Sequence, residues 1–598
     1  MVRSAVLDKQ IMFACIMEDS FLFKLFRFLK PFTITIAGIL LLVFFQSLAE
    51  LFLPTLMADI VDKGIVFGNI ELIVRTGGIM LLVALGGVTC TILSSFYASK
   101  TAMNFGKILR NKVFSHVQSF SLHEFDRIGT ASLITRTTND INQVQMVLLM
   151  ILRMMVHAPL MFIGGVIMAL SRDVELSRSI VVVIPIIAFT IAVITARAIP
   201  LFKTMQLKLD RLNLVLRENL TGIRVIRAFN QIEREKKRLN EANHDLTKTA
   251  TQVNKLIALT MPVLMLSLNF TAIAVVWFGS ARIDSGNLQV GDLMAFLQYV
   301  MLILFSLVMV SMMLVMIPRA SASAERINQL LDMVPSINNP PAIQERTGCG
   351  RQGSVQFDDV TFSYPGAEKP AIKNISFSAG PGELTAVIGS TGSGKSTLFK
   401  LLLRFYDPDD GKILVDGIDI EALPQEDLRA RIGYVPQKSL LFSGSVADNI
   451  RFGKQDATAD EICLAAELAQ AGEFIKGLPE GFESGINQGG ANLSGGQKQR
   501  LAIARALIRK PDIYIFDDTF SSLDFKTDAC LRSALHKETS NATVFIIAQR
   551  VNTIINADRI IILEDGCLAG IGSHKELMES NGIYREFVFS QISEEDSA

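Results

Sequence analysis

Cysteine and charge are both scarce in this chain, and each shortage excludes something. Six of the 598 residues are cysteine (Cys15, Cys90, Cys349, Cys463, Cys530 and Cys567), far apart and without a C-x-x-C pair. That spacing builds neither a metal cluster nor a disulfide framework, and it places the soluble parts in a reducing compartment. Charged residues make up only 19%, and Lys+Arg and Asp+Glu count 58 each, so no basic excess points to nucleic acid. No small-residue cleavage site follows the short apolar run 11–17, which Glu18 and Asp19 end, so a signal peptide is not expected. What is abundant is apolar. Half the residues are hydrophobic and mean hydropathy is +0.37, too apolar for an ordinary soluble enzyme. A membrane part is therefore expected, in a chain long enough for more than one domain.

The apolar residues gather in the first half. Segment 21–30 mixes bulky apolar residues with spaced cations and suits a short helix in the membrane interface, its lysines reaching headgroups. Six segments then approach or exceed the ~20 residues that cross a bilayer as a helix. Their cores are 32–56, 77–97, 147–170, 179–199, 256–279 and 294–317. The long connections 98–146 and 200–255 carry most of the cations, which puts them, and both termini, on the cytoplasmic side. Both also read as helical, with turns near 125–130 and 220–224. Inside the spans stand Glu50, Arg153 and His157. Glu50 is a substrate or proton site, or else a side chain satisfied by a neighbouring helix; Arg153 suits a headgroup contact. Met309, Met312, Met313 and Met316 suit ordinary helix packing better than a cavity lining. Residues 319–333 read as an amphipathic helix leaving the membrane, so we expect a membrane domain over 1–335, a linker over 336–352, and a soluble domain over 353–598.

In the soluble half, strands alternate with helices, the pattern of an α/β layer architecture. Its centre is Gly389-Ser390-Thr391-Gly392-Ser393-Gly394-Lys395-Ser396-Thr397, between an apolar strand at 384–388 and a helix at 398–403. A G-x-x-x-x-G-K-[ST] loop in that context cradles phosphates with its backbone N–H groups and a helix N-terminus. Lys395 would reach the β- and γ-phosphates and Ser396 the Mg²⁺. A second apolar strand, 513–517, ends in Asp517 and Asp518, and Asp517 supplies a carboxylate for the same Mg²⁺. Between them, Leu493-Ser494-Gly495-Gly496-Gln497-Lys498-Gln499-Arg500 opens another helix with a second anion-binding turn.

At these residues the chain resembles the ATP-binding cassette family, and the likeness covers nearly all of it. The resemblance implies a fold of six membrane helices with long cytoplasmic extensions, fused to an α/β P-loop nucleotide-binding domain. It implies that Ser494, Gly495, Gly496 and Gln497 form the signature turn, which serves ATP held by the other cassette of a dimer. Tyr364 matches the aromatic that stacks on adenine. Gln437 matches the glutamine that reaches Mg²⁺ and the γ-phosphate. Ser521-Ser522-Leu523-Asp524 matches the loop that crosses the dimer interface, and the turns near Gly129 and Gly222 match the helices that couple membrane and cassette. ATP and Mg²⁺ are the implied cofactors. The implied partners are a second half-transporter, membrane lipid and an amphipathic small molecule (a drug, lipid or peptide); nucleic acid is not among them. The location implied is the plasma (inner) membrane of a bacterium.

Three positions depart from the family pattern. Asp518 stands where a catalytic Glu is usual, one methylene shorter, and such a displacement can cost on the order of 10²-fold in rate. Gln549 stands where a histidine is usual; it can donate to a phosphate but cannot become an imidazolium. Gln488 stands upstream of the signature where Glu is common. Asp can act as a base and Gln can hold a phosphate, so each change alone is compatible with turnover. Two around one γ-phosphate point to a hydrolytically weak site, and the chain then resembles the degenerate-site subunit of a bacterial heterodimeric multidrug exporter. The alternative is a regulatory or channel-like protein that ATP binding gates with little hydrolysis.

Overall fold

An α-helix advances about 1.5 Å per residue and the hydrocarbon core of a bilayer is about 30 Å thick. Helix length therefore separates what stays in lipid from what projects beyond it. The computed structural model describes residues 21–339, 353–521 and 523–595. Among the described residues four helices far exceed the bilayer: Ile70–Gln118 with 49 residues, Val174–Thr221 with 48, Ile232–Asp284 with 53 and Val290–Leu331 with 42. Among the described residues, five stretches are long and apolar enough to span: Lys24–Ile65, Ile70–Gln118, Thr130–Arg172, Ile232–Asp284 and Val290–Val310. The remaining expected span, 179–199, runs inside the helix Val174–Thr221. The amphipathic helix expected over 319–333 is not separate. It is the end of one 42-residue helix, Val290–Leu331, which continues through Pro318.

The chain divides into two compact units, one of Met1–Gln118 with Thr130–Met333, the other of Ser119–Gly129 with Val334–Ala598. In the first, Thr33–Asp59 packs along Ile70–Gln118, Val174–Thr221 along Ile232–Asp284, and Val156–Arg172 along Val290–Leu331. Small residues let these helices approach: a Cβ on Gly165 would meet Ile303 at 2.8 Å. Tyr299 is fully buried between them, its hydroxyl donating to the carbonyl of Leu51 at 3.0 Å. Loop ends are tied by ion pairs, Arg172 to Asp292 and Arg282 to Asp173, each at 2.8 Å. The short helix Phe21–Phe26 is not merely laid on lipid. Leu25 is buried, Asn328 donates to the carbonyl of Phe21 at 2.7 Å, and Lys24 lies 3.6 Å from Asp332.

The second unit is built on two sheets. A six-stranded sheet runs in the order Cys567–Gly572, Arg559–Glu564, Leu384–Gly389, Thr543–Ile547, Ile513–Asp517, Ile432–Val435. All its neighbours are parallel except the first pair. Its inner strands are apolar on both faces, as a sheet covered on both sides requires. A four-stranded antiparallel sheet, ordered Ile372–Ala379, Val355–Phe362, Asp410–Val415, Ile418–Asp419, lies beside it and shares its core through Phe357, Phe377 and Phe545.

Residues 119–129 join this unit by a specific contact. Where the residues read as a turn at 125–130 and the family resemblance implied a coupling helix near Gly129, the chain forms a helix, Leu122–Ile128, started by a capping box of Ser121 and Glu124. Gly129 closes it at φ +78°. Leu122 packs on the cluster around Phe362, Leu402 and Tyr406. Glu124 accepts from Ser121 N at 2.7 Å, Ser121 Oγ at 2.6 Å and Ser336 N at 3.2 Å. Burial pushes its pKa up, but these bonds from Ser121 and Ser336 outweigh burial and hold it below the usual glutamate value. A depressed carboxylate stabilises above its unfolded pKa and loses that contribution as pH falls through the folded one. Glu124→Ala should therefore cost about 2 kcal/mol at neutral pH, with the difference from wild type shrinking on acidification. Hydrogen exchange should show faster amide exchange over 119–129.

Candidate functional site

Parallel strands end on the same side of a sheet, so whatever follows them meets there. Four adjacent strands of the six-stranded sheet lead to the residues singled out above: Leu384–Gly389 to the phosphate loop, Thr543–Ile547 to Gln549, Ile513–Asp517 to Asp518, and Ile432–Val435 to Gln437. The crevice outside strand carboxyl ends is where open α/β sheets bind ligands.

The loop turns because its glycines permit it. Gly392 and Gly394 have φ of +88° and +95°, and a Cβ on Gly389 would sit 2.1 Å from the carbonyl of Leu563. Lys395 opens the helix Lys395–Leu402 and its Nζ donates to the carbonyls of Gly389 at 2.8 Å and Ser390 at 2.7 Å. Burial lowers its pKa, opposed by the carboxylates of Asp518 and Asp517. Ser393 Oγ is buried without a hydrogen-bond partner. Thr397 and Tyr364 are linked, hydroxyl to hydroxyl, at 3.1 Å, and Tyr364 stands edge-on to Phe362 and Tyr406.

The second strand presents two carboxylates with different surroundings. Asp517 is buried and accepts from Ser396 Oγ at 3.3 Å and Tyr434 OH at 3.5 Å. Burial raises its pKa, the charge of Asp518 adds to this, and the bonds from Ser396 and Tyr434 oppose it. Asp518 takes the left-handed conformation, φ +46°, which aspartate tolerates better than most residues. Its Oδ2 accepts from Gln437 Nε2 at 3.1 Å and from Gln549 Nε2 at 3.0 Å, and Ser521 Oγ donates to its carbonyl at 2.9 Å. The structure thus joins Asp518, Gln549 and Gln437 around one carboxylate oxygen. Ser522 lies outside the described residues.

The turn at Ser494 stands apart. Ser494 caps the helix Gly495–Leu507, its hydroxyl accepting from Gln497 N at 3.3 Å while Gln497 Oε1 accepts from Ser494 N at 2.9 Å. A Cβ on Gly495 would meet no atom within 4 Å. Among the described residues no hydrogen bond joins Ser494, Gly495, Gly496 or Gln497 to the phosphate loop. Gln488 lies in a 3₁₀ turn, Gln488–Gly490, whose Gly489 carbonyl accepts from Lys498 Nζ at 3.0 Å. The partner of Asp517 that sequence reasoning passed over is Tyr434, although it stands three residues before Gln437.

These groups fit a nucleotide with its magnesium. The unpartnered Ser393 hydroxyl, the open positive-φ backbone at Gly392 and the ammonium of Lys395 suit an anion. Ser396 and Asp517 offer the oxygen donors magnesium prefers. Among the described residues no group of three His, Cys, Asp or Glu could hold a metal alone; nucleotide magnesium takes most of its ligands from phosphates and water.

The pattern of the ABC transporter transmembrane region matches residues 36–308, and that of the ABC transporter matches 372–521. An uncharacterised ABC transporter ATP-binding protein of Mycobacterium tuberculosis is 42% identical, over 94% of this chain and 97% of the relative. An ATP-dependent lipid A-core flippase of Chromobacterium violaceum is 32% identical, over 92% and 93%. The structure of a bacterial Atm1-family ABC exporter with ATP bound superimposes with a TM-score of 0.78 at 27% identity, covering 94% of this chain and 98% of that one.

The raised pKa of Asp517 has a consequence for stability. A buried carboxylate whose folded pKa is raised contributes stability below its unfolded value and loses it as pH rises through the folded one. Asp517→Asn should therefore raise the thermal midpoint of the nucleotide-free protein at neutral pH. The gain should vanish as pH falls toward the ordinary aspartate value of about 3.9. Differential scanning of the solubilised full chain across that range checks both the sign and the trend.

Proposed function

Because the chain belongs to the ABC transporter family and has the exporter fold of a membrane region fused to its own cassette, we propose that it is one half of a heterodimeric exporter. It would move amphipathic small molecules out of a bacterial cytoplasm by alternating access, with the cassette and both termini on the cytoplasmic side. The observation that carries this reading is the contrast between two turns. Asp518 has both acceptor directions of Oδ2 taken by the amides of Gln437 and Gln549, leaving Oδ1 alone to orient water. The Ser494 turn, in contrast, is complete and capped. A chain that keeps the turn serving its partner while its own base is shortened suits a pair with one weak and one competent site.

In that assembly Lys395 and the loop amides would hold the β- and γ-phosphates, Tyr364 would stack on adenine, and Ser396, Asp517 and Gln437 would hold magnesium. Bound magnesium neutralises charge on the terminal phosphates. Gln549 would donate to the γ-phosphate without changing charge. Ser494, Gly495, Gly496 and Gln497 would complete the partner's site. The hairpin at Gly222 supports a partner: the helix Ile223–Ala228 and its flanks carry exposed Leu220, Val225 and Phe229. The C. violaceum relative's name supports a bulky amphiphile as cargo. The occupied Asp518 also suits the second reading, ATP gating with little hydrolysis; ATP-driven uphill uptake of a dye into inverted vesicles separates the two.

Gln549→His with Asp518→Glu should change turnover of the assembled pair by less than about threefold. Ser494→Ala with Gly495→Asp should lower it on the order of 10²-fold, as loss of a phosphate donor does. Both are read as ATP hydrolysis in nanodiscs. The proposal fails if this chain, purified alone, hydrolyses ATP and transports as fast as the co-expressed pair.

A further inference from the structure

The membrane unit holds an ionisable pair that nucleotide chemistry does not use. Glu50, on the helix Thr33–Asp59, and His157, on the helix Val156–Arg172, approach to 3.6 Å between Oε2 and Nε2. Gln46 Nε2 donates to Glu50 Oε1 at 3.0 Å. Across the ring, His157 Nδ1 lies 2.9 Å from Ser47 Oγ, and that hydroxyl lies 2.9 Å from the carbonyl of Val43.

Proton counting makes this arrangement two-state. Ser47 has one hydroxyl hydrogen and two acceptors in reach. If the hydrogen goes to Val43, Nδ1 must carry its own to bond Ser47. Nε2 and Glu50 Oε2 then face each other and need a proton between them. If the hydroxyl turns to Nδ1 instead, Nε2 carries the imidazole hydrogen and points it at an ionised Glu50. The first state holds one more proton than the second, so the pair is neutral in one and carries one negative charge in the other.

The pair is also open to an apolar space. The Glu50 side chain is 36% exposed and, with Leu53, Pro54, Met301 and Phe305 among its neighbours, it lines a cavity of about 550 Å³, within the size range of small-molecule sites. Glu50 is the one charged residue of that lining. Of the other helices that line the cavity, Ile232–Asp284 contributes Ala272 and Val290–Leu331 contributes Gln298, Met301 and Phe305 among others, none of them titratable. Among the described residues His157 is the titratable partner of Glu50. Arg153, one turn before His157, is exposed.

We propose that this cavity is a subsite for a lipophilic monovalent cation, with Glu50 as counter-ion, and that the cation competes with the proton shared by Glu50 and His157. The apolar walls and the Phe305 ring take the body of such a ligand, and the lone carboxylate takes its charge. On binding, the proton on Nδ1 leaves to water, the one between Nε2 and Glu50 settles on Nε2, and the Ser47 hydroxyl turns from Val43 to the bared Nδ1; one positive charge enters as one departs. The inference deepens the exporter reading and rests on it for the cavity's role as a cargo site.

The test is equilibrium binding of radiolabelled tetraphenylphosphonium to the assembled exporter in nanodiscs, at about pH 5 and about pH 8, either side of the imidazole range. Binding should be about tenfold tighter at the higher pH, the equivalent of about 1.4 kcal/mol. Glu50→Gln should weaken binding at the higher pH by a similar factor, and His157→Gln should flatten the pH dependence. Tetraphenylphosphonium binding that is independent of pH in the wild type overturns the proposal, as does Glu50→Gln binding within twofold of wild type. ATP-driven transport of neutral Nile red by Glu50→Gln, at the wild-type rate, shows that the variant is folded. If wild-type protein moves neither probe with ATP while the pH-dependent binding holds, the exporter reading fails and the subsite stands.

Discussion

The hydrogen-bonded ladder joining four parallel strands of the cassette is the constraint on which the chemistry depends. Leu384–Gly389, Thr543–Ile547, Ile513–Asp517 and Ile432–Val435 are neighbours in that order, so the residues that follow them are delivered to one edge of the sheet. None of Lys395, Gln549, Asp518 and Gln437 is near the others in sequence. The approach of Gly389 to the backbone of Leu563 shows how closely the ladder is filled. A side chain there would push the strand that carries the phosphate loop away from its neighbour.

The same edge separates two carboxylates by environment. Asp517 is buried and shares its oxygens with two hydroxyls, Ser396 and Tyr434, which leaves it suited to a cation. Asp518 turns outward in a left-handed conformation and is held by two glutamine amides. An amide in the place of an imidazole supplies a hydrogen bond whatever the pH, but it offers no change of charge. The membrane unit places its titratable imidazole elsewhere, at His157, where it meets Glu50 beside an apolar cavity. One protein thus holds an amide contact at Asp518 and an imidazole contact at Glu50.

Long helices follow from the same economy of backbone hydrogen bonding. A span in lipid must satisfy its own N–H and C=O groups, and continuing the helix past the bilayer does so without a new start. Hence Val290–Leu331 runs on where the composition changes, and Pro318 does not end it. The chain breaks its long helices instead where a cap is available, as at Ser121 and Glu124, and there it forms the short helix that packs on the cassette.

By itself the sequence determined the kinds of element and the chemistry they carry. Apolar runs of bilayer length, cations in the long loops, and a glycine-rich loop between strand and helix are local patterns, each legible in a window of residues. It also carried the substitutions Asp518 and Gln549, because those depend on residue identity alone. Only the tertiary structure decided which groups meet. That Tyr434 reaches Asp517, that Gln437 and Gln549 share one oxygen of Asp518, and that Glu50 finds His157 across 107 positions are set by strand order and helix packing. They join residues distant in the chain, and no local spacing encodes such a distance.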